Sequence, residues 1–467
     1  MTTRAFDILF KAIVVTLLVP VVSAQDSTAP TSDAAFTPSI SPAWSVATNA
    51  PQAEFGLSSA FDGANFLVGI RGAAGNPDTV GAQVLSPTGA RVGSLIETGR
   101  VMDGFLDGPR VAMGSANYLM VWTDASSQHR LTGNDIYAQF ISPAGDLVGS
   151  PFVVTKASGD QYARGVAHDG TRFLVIWAAG NGVRGRRVSA TGELLGNEIV
   201  FTTQDVEEPA AVACGGGLCL VVWVEGSDGA HATKGRLLSA SGELGPAFVV
   251  SQNDSYHFNP LSVAYGGGRF MVVWSHNAGE DDDWDLRGRV VLPDGTFGGG
   301  EIALAAEASE EIIWANNVVF DGKDFLVVWT DYAGSPATAT GTVFGRYWSQ
   351  DGVPAGVPFI IEPAAPGVLG VGLSAADRQV LAVVNRNAFD SASDVWARFI
   401  QPPSANPFVQ ILKIASDPQE ASKVQVTFEG ILQSSPDSKT WTDLAPQPTS
   451  PWILEAGEGV LFFRARD

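Results

Sequence analysis

Positive charge and histidine are scarce in this chain. Lys plus Arg number 28 against 49 Asp plus Glu, a formal charge of −21 over 467 residues, and affinity for phosphate backbones rests on cationic neutralisation. DNA and RNA are therefore not expected partners. The five histidines, His129, His168, His231, His257 and His276, show neither H-x-H nor HExxH spacing, so no zinc motif is present. G-x-S-x-G elbows, Walker loops and strand-to-helix G-x-G-x-x-G turns are also missing, and no catalytic residue can be named from a motif. After Val22 no apolar run is long and uncharged enough to cross a bilayer as a helix.

Glycine (52) and proline (27) are abundant, while charged residues make up only 16%. That balance belongs to turn-rich exported β proteins. The N-terminus supports export: Arg4 and Lys11 precede an apolar run from Ala12 to Val22 and a small-residue exit at Val22-Ser23-Ala24, the pattern of a secretory signal peptide. Residues 1–24 are read as that signal and residues 25–42, rich in Ser, Thr, Ala and Pro, as a flexible leader. The expected location is secreted or periplasmic.

The dominant feature is a repeat. YLMVW (Tyr118 to Trp122), FLVIW (Phe173 to Trp177), CLVVW (Cys219 to Trp223), FMVVW (Phe270 to Trp274) and FLVVW (Phe325 to Trp329) are flanked by degenerate copies at Phe66 to Ile70 and Leu381 to Asn385. Seven units result, spaced roughly 46 to 56 residues apart, as in propeller-type repeats. Each reads as four strands joined by Gly, Asp and Pro turns. The second strand is apolar without alternation, so both of its faces must be covered. Sheets stacked radially, blade against blade, satisfy this, with an open β solenoid as the rival. The fold expected is all-β, a seven-bladed propeller over residues 43–403.

The seventh unit runs from Val395-Trp396-Ala397-Arg398-Phe399 into Pro402-Pro403 and lacks a fourth strand. Residues 43–49 look like that strand and are expected to close the ring. Cys214 and Cys219 occupy facing positions across a tight turn, where other units carry pairs such as Phe61 and Phe66 or Tyr265 and Phe270; in an exported protein a cross-strand disulfide is expected. Every third strand carries a small residue followed by Arg or Gln, from Ala82-Gln83 through Gly235-Arg236 to Ala397-Arg398. Packing between blades explains this register better than an anion-capturing ring. The Trp series is likewise read as core.

Units such as Asn317 to Trp329, with their Phe320-Asp321-Gly322 turn and FLVVW strand, and Asn134-Asp135-Ile136-Tyr137-Ala138-Gln139 followed by Ser142-Pro143-Ala144-Gly145, resemble a "YLVVW…DIYGRRVSPDG" repeat common in large exported bacterial proteins. The resemblance covers about three quarters of the chain, implies a propeller-like fold and brings no catalytic residues. The tail, with Leu432-Gln433-Ser434-Ser435-Pro436-Asp437, Trp441 and Phe462-Phe463-Arg464, is similar to a terminal module of exported bacterial proteins, which implies a small immunoglobulin-like β module over residues 407–467 with Trp441 as its core anchor.

Connections between strands two and three, and from strand four to the next unit, emerge on one face of a propeller. Tyr162, Tyr256, His257, Trp284, Trp314 and Tyr332 fall there among acids, which suits sugar stacking, hydroxyl bonding or a cationic peptide. The acidic run Glu280-Asp281-Asp282-Asp283-Trp284-Asp285 reads as a solvated loop; Asp281, Asp283 and Asp285 are the carboxylates that Ca²⁺ would use if it bound, without D-x-D-x-D-G spacing. No other cofactor is implied. The function expected is a monomeric, non-enzymatic binding scaffold for a carbohydrate or protein; the alternative is a polysaccharide hydrolase or lyase using two carboxylates of that face.

Overall fold

In the computed structural model of the chain the described residues are 38–46, 55–72, 79–101, 108–125, 133–180, 182–204, 206–227, 230–254, 261–277, 284–305, 310–312, 318–333, 340–386 and 394–402, with short strands beyond 412. The signal and most of the leader lie outside them, as do Tyr256, His257, Asp281, Asp283, Trp314 and Trp441. Every regular element among the described residues is a strand.

Residues Phe36–Gln401 form one compact unit, a seven-bladed β-propeller. Blades 1 to 5 are four-stranded antiparallel sheets built in sequence order. Blade 3, for example, consists of Gln161–His168, Phe173–Ala179, Val183–Val188 and Leu194–Thr202, and blade 4 of Val206–Gly215, Leu218–Ser227, Ala230–Ser239 and Phe248–Asp254. In blade 6 the first strand is divided into Glu310–Ile312 and Val318–Phe320, both paired with Phe325–Ala333. First strands pack against first strands around the ring, and Leu369–Ala376 of blade 7 meets Phe55–Phe61 of blade 1. The ring is closed.

Seven apolar clusters lie between the seven blades. On the second strand of blade 4, Leu220 and Val222 enter the core shared with blade 5, while Cys219, Val221 and Trp223 enter the core shared with blade 3. Because side chains alternate across a strand, a strand covered on both faces must be apolar at every position, which is why FLVVW shows no period of two. The repeated tryptophans are core residues: Trp122, Trp177, Trp223 and Trp274 are at most 1% exposed.

The third-strand register also proves to be packing. A Cβ at Gly185 would lie 2.9 Å from Phe201 Cε2, and one at Gly345 would lie 2.8 Å from Ile361 Cδ1, so the small residue makes room for the fourth strand. The neighbouring guanidinium then reaches backbone carbonyls. Arg236 donates from Nε to Gly245 O at 2.6 Å and from Nη1 across to Phe201 O of blade 3 at 3.0 Å, and Arg289 of blade 5 donates to Val250 O of blade 4 at 2.7 Å. These arginines join one blade to the next.

Blade 7 takes its outermost strand from the N-terminal segment. Ser39–Ile40 pairs with Gln401 and Ile400, and Trp44–Ser45 pairs with Ala397 and Trp396. Pairing begins at Ser39, inside the stretch read as leader, and is interrupted at Pro42, which has no N–H to contribute. Ser41 spans the gap: its backbone N donates to Phe399 O, and its Oγ accepts from Phe399 N, both at 2.9 Å. Trp44 packs on Phe399, ring centroids 5.0 Å apart, and Arg91 Nη2 of blade 1 donates to Ser45 O at 3.0 Å.

The strands after Pro402 form two three-stranded antiparallel sheets. One joins Lys413–Ser416, Lys423–Thr427 and Trp452–Glu455; the other joins Thr442–Asp443, Ile431–Ser435 and Phe462–Arg466.

Candidate binding cleft

At the boundary of blades 3 and 4 the regular packing opens into a cleft of about 340 Å³. Its position follows from strand periodicity. Trp223 and Glu225 alternate on one face of the second strand of blade 4, and Lys234, directly opposite Trp223 in the ladder, alternates with Arg236 on the third. All four line the cleft, with Phe201 and Thr202 from the last strand of blade 3. The connections leaving this end, 203–205 and 228–229, belong to the classes that emerge on the face singled out from the sequence.

Glu225 organises the site. Its Oε1 accepts from Lys234 Nζ at 2.6 Å, and its Oε2 accepts from Trp223 Nε1 at 3.0 Å and Thr202 Oγ1 at 3.3 Å. Burial by itself raises the carboxyl pKa, but the hydrogen bonds from Lys234, Trp223 and Thr202 and the ammonium charge outweigh it and hold the group below the usual carboxylate range. Glu225 is consequently an acceptor at neutral pH, whereas a general acid needs a raised pKa. It is the one carboxylate among the described lining residues. The blade 4 boundary departs from the repeat here: the indole N–H groups of Trp122, Trp177 and Trp274 have no acceptor among the described residues.

The described members of the sequence-selected set, Tyr162, Trp284 and Tyr332, belong to strands other than those lining this cleft. Tyr162 is partly buried at the start of blade 3, with Arg164 Cζ 5.6 Å from its ring centroid. Trp284 opens the third strand of blade 5 opposite Asn277, and Tyr332 pairs with Gly341 in blade 6. These three sit at strand ends of the same face but on different blades. Asp285 accepts from Arg287 Nη2 at 3.1 Å, so the one described carboxylate of the acidic run is already paired with a cation.

Sequence reasoning passed over Glu225 and Lys234. A signal exists in the alignment of the repeats: Glu225 stands two residues beyond its Trp, where other units carry Asp124, Ala179, His276 and Asp331, and Lys234 immediately precedes the Gly-Arg pair. An ion pair between strands two and three is readable once the ladder register is known.

No protein-family model matches the chain, and no curated protein matches it. Among solved structures, the β-propeller domain of the Trilobed protease from Pyrococcus furiosus is similar at 11% identity and a TM-score of 0.45, over 75% of this chain and 94% of that one. The catalytic domain of the Coprinopsis cinerea GH62 α-L-arabinofuranosidase is similar at 13% identity and a TM-score of 0.35, over 62% and 89%. Identities this low transfer no activity.

Proposed function

We propose that the chain is an exported, non-enzymatic binding protein that presents the 2–3 and 4–1 connections of its propeller to a carbohydrate or protein. The observation that carries this reading is Glu225, an ionised carboxylate held by three donors in a cleft that offers no second carboxylate among the described residues. Glycoside hydrolysis needs two such groups in different protonation states, so this site supports recognition over turnover. The volume falls within the range of small-ligand sites. Recognition requires no cofactor in this reading. The protein acts as a monomer, with the C-terminal strands forming an immunoglobulin-like module for attachment or spacing.

A glycan array combined with a reducing-end assay on the same panel tests the proposal. Binding without product is expected. Release of reducing ends that disappears in Glu225→Gln would replace it with the hydrolase reading.

A further inference from the structure

We propose that the cleft between blades 3 and 4 takes a sugar bearing a single carboxylate, with Lys234 as its anion contact. This deepens the binding reading above and rests on it.

Charge is the first ground. Among the described lining residues, Lys234 and Arg236 place two positive groups on the cleft wall against one negative group, Glu225, on a protein of charge −21. The guanidinium of Arg236 is fixed by two neutral carbonyls, Gly245 O and Phe201 O, which orient it without cancelling its charge. Lys234 spends one donor on Glu225, and an ammonium has three. Glu225 therefore aims Lys234 and leaves it able to donate to an incoming carboxylate.

Shape and polarity supply the second ground. Trp223 is fully buried, so it forms the floor and is not a stacking platform. Thr203 and Gln204 are exposed at the rim and offer a hydroxyl and an amide, groups that match sugar hydroxyls in both donor and acceptor roles. Thr202 is occupied, donating to Glu225 and accepting from Gln204 N at 3.1 Å; this second bond fixes the Gln204 backbone at the rim. A cleft of about 340 Å³ is large enough for one sugar ring. The negative charge of the rest of the molecule would repel a long polyanion, which selects a terminal or isolated acidic unit.

Titration calorimetry of the full chain with D-galacturonate, its methyl ester, galactose and acetate tests this. Galacturonate is expected to bind at least tenfold more tightly than the other three. Lys234→Met is expected to lose at least tenfold in affinity for galacturonate while remaining cooperatively folded, and Lys234→Arg to retain most of it. Galactose or the ester binding as well as the acid would overturn the acidic-sugar inference and leave the binding reading standing, as would acid binding indifferent to Lys234→Met. Acetate binding equally well would overturn the sugar component. Absence of binding by these probes and by every member of the glycan array would overturn both.

Discussion

Cys214 and Cys219 face each other directly across the first two strands of blade 4 and are joined by a disulfide, with Cα atoms 4.0 Å apart. The same ladder position holds ring pairs elsewhere: Phe61 with Phe66, His168 with Phe173, Tyr265 with Phe270 and Phe320 with Phe325, at centroid distances of 4.7, 4.8, 4.9 and 5.1 Å. The preceding blade accounts for the exception. Tyr265 rests on the bare turn of blade 4, where a Cβ at Gly215 would lie 1.9 Å from its ring, and Phe320 rests likewise on Gly266 of blade 5. Where the preceding turn carries Asp62, Asp169 or Asp321, the next blade presents Met113, Cys214 or Ala375 instead of a ring. Cys214 follows Asp169, so blade 4 has no glycine shelf for an aromatic, and a covalent bond takes the place of ring packing.

Replacing both cysteines by serine should destabilise the propeller by about 2 kcal/mol, the chain-entropy contribution of a small closed loop. Urea unfolding of the variant, and of the native chain with and without dithiothreitol, measures this. Equal midpoints would show that the bond contributes nothing.

The glycine shelf can be tested at Gly266. A methyl group there would lie 1.9 Å from Phe320 Cγ, and overpacking of this kind costs about 1 to 3 kcal/mol. Gly266→Ala should lower the denaturation midpoint, while Gly266→Ala combined with Phe320→Ala should recover part of the loss. A double-mutant cycle with no coupling energy would refute the contact.

Arg398 ties the closing segment to blade 6. Its Nη1 donates to Ser41 O at 3.0 Å and its Nε to Glu362 of blade 6 at 2.8 Å, and that carboxylate also receives Arg386. Because Glu362 keeps Arg386, Arg398→Ala should cost about 2 kcal/mol, in the range of charge-assisted hydrogen bonds, and not the larger penalty of an orphaned buried charge. Deleting residues 38–46 should lower the melting temperature further by exposing the edge of Asp394–Gln401. Calorimetry showing the same melting temperature for the deletion and the full chain would mean that the segment does not fasten the ring.

His168 sets a pH dependence. Its pKa lies below the ordinary histidine value because burial disfavours the imidazolium, partly offset by the Asp169 charge. Its Nδ1 accepts from Gly170 N at 3.3 Å, a bond that protonation would abolish. Between the lowered native pKa and the unfolded value near 6.5 the unfolded chain binds more protons, so stability falls as pH drops through that window. His168→Phe should flatten this part of the stability-versus-pH curve, measured by urea midpoints between pH 7.5 and 5, and an unchanged slope would exclude His168 as the source.

Much of the fold could be read in advance from the residues because the blades are locally encoded. An FLVVW strand declares by its own composition that both faces are buried, the Asp-Gly and Gly-Gly turns declare the hairpins, and seven copies in register declare the ring. Cys214 and Cys219 were legible for the same reason, since facing positions across a two-residue turn are fixed by the turn alone. The cleft was not legible. Thr202, Glu225 and Lys234 belong to three strands on two blades, and each is an ordinary surface-type residue until the register of strands two and three and the stacking of blade 4 on blade 3 bring them within hydrogen-bonding distance. Local periodicity specified the strands and their burial, but the electrostatics of the site exist only between blades, and only the tertiary packing of the ring could create them.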